Sequence, residues 1–335
     1  MDKVLNVLYQ SDKNYGLVGA TSILSLLENN KHFKKINIYY LTINFSEQLS
    51  EKIKAIERKY CNVKIVLINA QKYIEELKKM NVTSWHGRLV TWCKMLAIND
   101  LAIQEDRVLY INPHSIINGN LDELVDLDFE DNIMALTFDP IRRTYMKVIE
   151  LDYSDRYFNC GLMLFNYAKW KKENIDEFVR SELRKKTYYY LADQDFCNIK
   201  FKNKIKLLSF RWYVFDTIYA YKNRKSFLII NDLLDKDYFY SYREQMEDYY
   251  SPKILYSTFR ATGHPWECGN LSPSRFLWDK YQNLLGWSEE SRPVVKKNIS
   301  YYAYKFLPNT IIPFINKLLM DKLYNKVYKR KNSRK

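Results

Sequence analysis

Apolar residues along this chain fall into short blocks of two alternating kinds. Val4 to Tyr9 is a compact apolar run, and Leu17 to Leu27 follows with apolar residues at helical spacing (Leu17, Ile23, Leu24, Leu27). Ile36 to Ile43 and Val63 to Ile68 are rich in β-branched and aromatic residues and predict strands. Between them Glu47 to Lys59 is charged, with apolar positions at helical spacing. Val90 to Ile103 predicts another helix and Val108 to Ile111 another strand. Strands alternating with helices in this way predict βαβ units and a mainly parallel central sheet flanked by helices, an α/β fold. Ligands of such sheets bind beyond the C-terminal ends of the strands. The loops after Tyr9, Val63–Ile68 and Ile111 are therefore where chemistry is expected.

Past residue 130 the pattern loosens. Ile133 to Phe138 and Phe158 to Phe165 predict strands, and Tyr167 to Lys186 is helical between turns. No Pro/Gly linker and no internal repeat interrupts the chain. The simplest organisation is one domain over 1–290 and a basic helical tail over 291–335.

Composition narrows the class. A chain of 335 residues with 47% hydrophobic and 27% charged residues suits a globular protein with a large core. The 29 Tyr are unusual, and the bland account of them is an AT-rich coding bias. The net charge of +14 is unevenly placed: 296–335 hold eleven basic residues against Asp321 alone, whereas 1–295 hold 42 basic against 38 acidic. A nearly balanced body speaks against a nucleic-acid partner. Five cysteines without a C-x-x-C pair indicate neither a disulfide framework nor a cysteine zinc site. MDKVLNVLYQ does not read as a secretory signal, and no run approaches 18 apolar residues. A cytoplasmic protein is expected.

Several segments carry candidate chemistry. Ser11 to Tyr15 (SDKNY) directly follows the first strand, and serves either as an ordinary turn or as a set of groups for a nucleobase and ribose. Arg107 to Phe129 runs from a strand into a polar loop and on through Asn118-Gly119-Asn120. Tyr157 to Trp170 (YFNCGLMLFNYAKW) holds Gly161 inside an apolar strand, where a glycine often marks close approach of a ligand or backbone. Leu191 to Phe196 (LADQDF) sets Asp193 and Asp195 around Gln194 at a helix start, which is also what an acidic N-terminal turn looks like. Ala261 to Glu267 (ATGHPWE) places a histidine beside Pro-Trp.

In this order, VLYQSDKNY, RVLYINPHSIINGNLDEL, YFNCGLMLFNYAKW, LADQDF and GHPW resemble the family 8 glycosyltransferases, from about Val4 to Trp287. The group includes bacterial lipopolysaccharide and capsule hexosyltransferases and glycogenin. The resemblance implies a GT-A (Rossmann-like) fold and transfer of hexose from a UDP-sugar with retention of configuration. It places Asp12, Asn14 and Tyr15 at the uridine. Lys94, or Arg88, falls where a basic residue meets the ribose or diphosphate. Asn159, Cys160 and Gly161 match residues lining the donor sugar, Asp193 and Gln194 the pair near the anomeric carbon, and His264 a position that touches the diphosphate. Gln194, Asp193 and Asn159 are the catalytic candidates.

One departure matters. The family holds Mn²⁺ or Mg²⁺ with an Asp-x-Asp after LYL and a later His. Here the first has become Asn112-Pro113-His114, and Tyr256 stands for the second. A neutral amide, one imidazole and a phenol make a poor set for ions that favour carboxylate and water. No metal cofactor is expected, so Asn112 and His114 become donor contacts. Protein cations then take the metal's work, the candidates being Lys94, Arg88, His114, Arg260 and His264. The expected activity is metal-independent transfer of glucose or galactose to a surface-glycan or lipid-linked acceptor. The alternative is an inactive pseudo-glycosyltransferase acting as a binding or scaffold partner. Ser300 to Tyr328 interleaves Tyr, Leu, Ile and Phe with Lys, and KVYKRKNSRK closes the chain. Such a basic amphipathic stretch predicts peripheral attachment to the anionic inner face of the cell membrane.

Overall fold

The computed structural model describes residues 3–152, 154–220, 224–233, 240–308 and 311–332, without the side chains of 220, 224 and 327–332. From the N-terminus come β1 (Val4–Asp12), α1 (Gly16–Asn29), β2 (Lys35–Ile43), α2 (Glu47–Glu57), β3 (Val63–Asn69) and α3 (Gln71–Lys79). Then follow α4 (Val90–Ala97), β4 (Arg107–Ile111), β5 (Ser115–Ile117), α5 (Asp122–Val125), β6 (Met134–Phe138) and α6 (Arg143–Val148). β7 (Phe158–Asn166), α7 (Tyr167–Lys172), α8 (Ile175–Arg184), α9 (Asp193–Lys200) and β8 (Ile205–Leu208) come next. The remainder holds β9 (Val214–Phe215), α10 (Thr217–Ala220), α11 (Arg224–Ile230), α12 (Tyr242–Tyr250), β10 (Ile254–Tyr256), α13 (Arg275–Leu285), α14 (Ile299–Phe306) and α15 (Ile312–Asn332).

Contacts divide the chain into two compact units, one of 1–137 with 159–208 and one of 138–158 with 209–335. The first is built on a seven-stranded sheet of order β3-β2-β1-β4-β7-β6-β8. β1 pairs in parallel with β2 and β4, β2 with β3, and β6 with β8. The exception to the parallel rule is β7, which runs antiparallel to β4. β1 and β2 are buried through seven consecutive positions, as central strands covered on both faces must be. Their few polar side chains are partnered inside the layer. Asn37 donates to Asn6 at 2.9 Å, and Ser11 and Tyr40 share a hydrogen bond of 2.8 Å. Helix α1 lies so close to the sheet that a Cβ on Gly19 would stand 2.0 Å from the Tyr40 hydroxyl. Strand order reverses direction at β1 and β4, and their C-terminal ends open the crevice where ligands of such sheets bind.

Two predicted helices are shorter than the periodicity implies. The one expected over 90–103 stops at Ala97 and closes in a 3₁₀ turn over Ile98–Asp100. Asp100 is drawn aside there by Lys72 and the Tyr73 hydroxyl, at 2.6 and 2.7 Å. The one expected over 167–186 is two helices, broken at Asn174, whose φ of 50° is left-handed. Asn tolerates that conformation better than most residues because its short side chain bonds locally.

In the second unit β9 and β10 run parallel, Tyr256 beside Phe215. By its contacts α15 belongs to this unit, packed on α6 and α11. Arg142 binds Asp321 at 2.7 Å, and Lys317 binds Asp232 at 2.7 Å. Ser333 to Lys335 and the side chains of 327–332, which together hold the closing basic run, lie outside the described residues.

Candidate active site

The mouth of the crevice forms where β1 ends. Asp12 closes the strand and caps the 3₁₀ turn Lys13–Tyr15, its Oδ1 accepting the Asn14 N–H at 2.9 Å. Its Oδ2 faces Arg88 Nε at 3.9 Å. Arg88 is set in place by a two-residue turn. Trp85 and Arg88 exchange backbone hydrogen bonds of 3.0 and 2.9 Å, and His86 and Gly87 between them have φ of 48° and 77°. Positive φ at both central residues is the hairpin geometry that matches strand twist, and Gly87 takes its half without cost. The Arg88 guanidinium lies 5.4 Å from the centre of the Tyr15 ring. On the neighbouring strand end, the His114 ring is 4.7 Å from that of Tyr15.

A hydrogen-bonded chain leads inward from His114. Its N–H donates to the side chain of Asn112 at 3.0 Å, and the Asn112 N–H donates to the Gly161 carbonyl at 2.7 Å. Asn159 Oδ1 accepts the Gly161 N–H at 2.7 Å. The Cys160 N–H donates to Gln194 Oε1 at 3.2 Å. Strand β7 therefore hands the first residues of α9 their orientation. Ahead of Asp193 stands Ala192 with φ 49° and ψ −124°, a conformation that L-residues avoid. The fully buried Asp195 carboxylate secures that turn by accepting the Leu191 N–H at 2.8 Å.

Beneath the turn is a buried charge pair. Lys94 Nζ binds Asp193 Oδ2, both side chains almost wholly shielded. Burial opposes the ammonium, but the Asp193 carboxylate overrides it, with help from Tyr110, so the pKa of Lys94 rises. Lys94 Nζ also donates to the Thr91 carbonyl at 2.9 Å and sits 4.6 Å from the centre of the Tyr110 ring. Gln10 steadies the pair from β1, accepting the Lys94 N–H at 2.9 Å and donating to the Tyr110 hydroxyl at 3.2 Å. Cys160, beside it, is buried, which pushes its thiol far up and leaves it protonated.

The structure thus gathers Asp12, Asn14, Tyr15, Arg88, Lys94, Asn112, His114, Asn159, Cys160, Gly161, Asp193 and Gln194 in one unit, linked by contacts. Lys94 does not present a spare cation: its charge is committed to Asp193. Arg88 is the more accessible of the two. Gln10, Tyr110 and Asp195 take part although the motif reading gave the first two no role. The available signal was a glutamine near the end of a strand that begins as an apolar run.

His264, Arg260 and Tyr256 belong to the second unit. Burial, with Arg260 nearby, lowers the His264 pKa to about 4, so the imidazole is neutral at neutral pH. The His264 ring stacks on Trp266, ring centres 4.4 Å apart and nearly parallel at 7°. The His264 backbone N–H donates to Glu267 Oε2 at 2.7 Å. Tyr256 stacks on Tyr213, centres 4.5 Å apart. Among the described residues no three His, Cys, Asp or Glu side chains come together as an ion would need. With the Asn112 oxygen engaged by His114 and Tyr256 laid against an aromatic ring, these residues do not fit Mn²⁺ or Mg²⁺.

The family description "Glycosyl transferase family 8" matches residues 6–233. The chain is 26% identical over 320 residues to a lipopolysaccharide 1,2-glucosyltransferase of Escherichia coli, covering 91% of this chain and 86% of that one. It is 24% identical to a lipopolysaccharide 1,3-galactosyltransferase of Salmonella typhimurium, covering 80% and 81%. Among solved structures it resembles the galactosyltransferase LgtC in complex with donor and acceptor sugar analogs. There the TM-score is 0.64 at 18% identity, over 90% of this chain and 100% of that one. It also resembles the bifunctional WbbM with a TM-score of 0.68 at 19% identity, spanning 51% of that chain. These likenesses show a GT-A fold.

Proposed function

The chain belongs to glycosyltransferase family 8, and on that premise we propose that it transfers glucose or galactose from a UDP-sugar to a surface-glycan or lipid-linked acceptor without a bound metal. The observation that carries this reading is the contact chain from Tyr15 through His114, Asn112 and Gly161 to Gln194, Asp193 and Lys94. It joins the strand-end crevice to the two residues that the family pattern puts beside the reacting carbon.

In this account Asp12 and Asn14 read the uridine, and Tyr15 carries its ring. Asn159, Cys160 and Gly161 line the hexose. Breaking the bond from the anomeric carbon to the diphosphate leaves negative charge on UDP and positive charge on the sugar ring, as in glycoside cleavage. The Gln194 amide lies against the sugar's developing charge. Asp193, held ionised by Lys94, fixes a sugar hydroxyl so that the carbon meets the acceptor on the face the diphosphate leaves. Arg88 takes the charge growing on the diphosphate. A fixed cation about 4 Å from an anion contributes roughly 4 kcal/mol of raw attraction near a protein surface, reduced by desolvation.

The C-terminal residues attach the protein to the anionic inner face of the membrane, next to its acceptor. No described helix is long and apolar enough to cross a membrane. Incubating the protein with a panel of UDP-sugars and measuring released UDP tests the activity. Release from UDP-glucose or UDP-galactose is expected. UDP binding with no release from any donor would favour a pseudo-glycosyltransferase instead.

A further inference from the structure

The chain's last helices do more in this structure than extend it. Residues 293–308, and Ile312 beyond them, lie along the loop that follows β10, the loop bearing Arg260 and His264. Val295 packs so tightly on Gly263 that a Cβ there would stand 2.2 Å from Val295 Cγ2. Gly263 also has φ 76°, so the loop is shaped to receive the crossing segment. The Val295 N–H donates to the Cys268 carbonyl at 3.1 Å, and the Tyr301 hydroxyl donates to Gly269 O at 3.1 Å. The Tyr304 ring meets Phe259 edge-on, centres 5.6 Å apart, and Ile312 buries against the same Phe259. Inside the loop's base the buried Asp216 carboxylate accepts the N–H groups of Thr258 and Phe259 at 3.0 and 3.1 Å.

The opposite side of these helices is unusual. On α15 the positions Phe314, Leu318, Lys322 and Lys326 succeed one another at intervals of four, and all are exposed. Phe314 is 55% and Leu318 70% exposed. On α14, Ile299 and Phe306 are 89% and 71% exposed. The inner row of α15 is spoken for by Lys317 with Asp232, Asp321 with Arg142, and Tyr324 against Tyr145. The outer row is therefore an apolar ridge running into a basic one, already formed. Eleven basic residues and one acid over 296–335 complement an anionic surface.

We propose that an anionic bilayer docks on the outer ridge of α14 and α15 and thereby steadies the 257–264 loop, through Tyr304 and Ile312. The inference rests on the peripheral attachment proposed above and adds that attachment is read by the loop. The physical link is simple. An eight-residue helix such as α14 is marginal by itself. A surface that binds only its ordered form stabilises that form by mass action, and whatever packs on its inner side shares the gain.

The test uses the full chain with phosphatidylcholine vesicles, with and without phosphatidylglycerol, followed by amide hydrogen exchange. Binding to the anionic vesicles should slow exchange in 257–264 several-fold, and neutral vesicles should not. Tyr304→Ala should bind the anionic vesicles as before but lose the slowing. Phe314→Ser with Leu318→Ser, both at exposed positions, should lose vesicle binding tenfold or more while keeping basal UDP release and the melting temperature. Tight vesicle binding with unchanged exchange in 257–264 would overturn the coupling. Failure to bind anionic vesicles, or self-association through this ridge, would overturn the docking. UDP release in free solution is measured separately, and its absence would count against the proposed activity alone.

Discussion

Replacing Lys94 with Met keeps the length and volume of the side chain and removes its charge. Asp193 would then lie buried without a counter-ion, its side chain only 8% exposed. Breaking a buried pair from one side costs about 3–5 kcal/mol, because the remaining charge loses its partner without regaining water. The cost must depend on pH. Burial already pushes Asp193 upward, and Lys94 is the main force holding it down. Without Lys94 the folded-state pKa rises well above the unfolded value of about 3.9. An acid whose folded pKa is raised binds more protons folded than unfolded. The penalty is therefore absent below the unfolded pKa and grows with pH by about 1.4 kcal/mol per unit until the folded pKa is passed. Denaturant unfolding of Lys94→Met and the unmodified protein at pH 5 and pH 8 should show a gap that widens at pH 8. Adding Asp193→Asn should recover part of it. A loss below about 1 kcal/mol at pH 8, or the same loss at both pH values, would refute a buried ion pair at this place.

Three further outcomes follow from the same geometry. Asp12→Ala removes the acceptor that shapes the Lys13–Tyr15 turn and faces Arg88, and a hydrogen bond to a charged group is worth about 1.5–3 kcal/mol; calorimetry should show UDP bound tenfold or more weakly, and unchanged affinity would move the nucleotide elsewhere. Ala192→Gly relieves a conformation worth about 1–3 kcal/mol against a glycine entropy cost of about 0.5–1 kcal/mol. The variant should melt no lower than its parent while its UDP release falls as Gln194 loosens, and a clear drop in melting temperature would contradict the strain. Asn112→Asp with His114→Asp sets two carboxylates beside the proposed diphosphate site, so UDP release should fall in chelator and recover only if Mn²⁺ fills the rebuilt site.

Much of the first unit was legible in the chain because its central strands are short, mostly apolar runs set between segments of helical spacing. β1, β2 and β4 announce themselves in this way, and Asn14, Tyr15, Asn112 and His114 follow the ends of β1 and β4. Breaks carried by single residues were harder to read. Asn174 turns one helix into two by taking a left-handed φ, and asparagine also sits inside helices elsewhere in this chain. The Lys94–Asp193 pair joins residues 99 apart in sequence, and only the folded sheet shows that Lys94 points inward. His264 looked like a charge because local sequence says nothing of burial. Burial, with Arg260 nearby, lowers its pKa to about 4.

The central claim is sugar transfer driven by protein groups around Gln194, and one measurement tests it most directly. UDP release from UDP-glucose and UDP-galactose is followed for the unmodified protein and for Gln194→Ala, each in chelator and again with added Mn²⁺. The account predicts release by the unmodified protein in chelator, little gain from Mn²⁺, and a Gln194→Ala protein that still binds UDP but turns over far more slowly. Release abolished by chelator and restored by Mn²⁺ would contradict it.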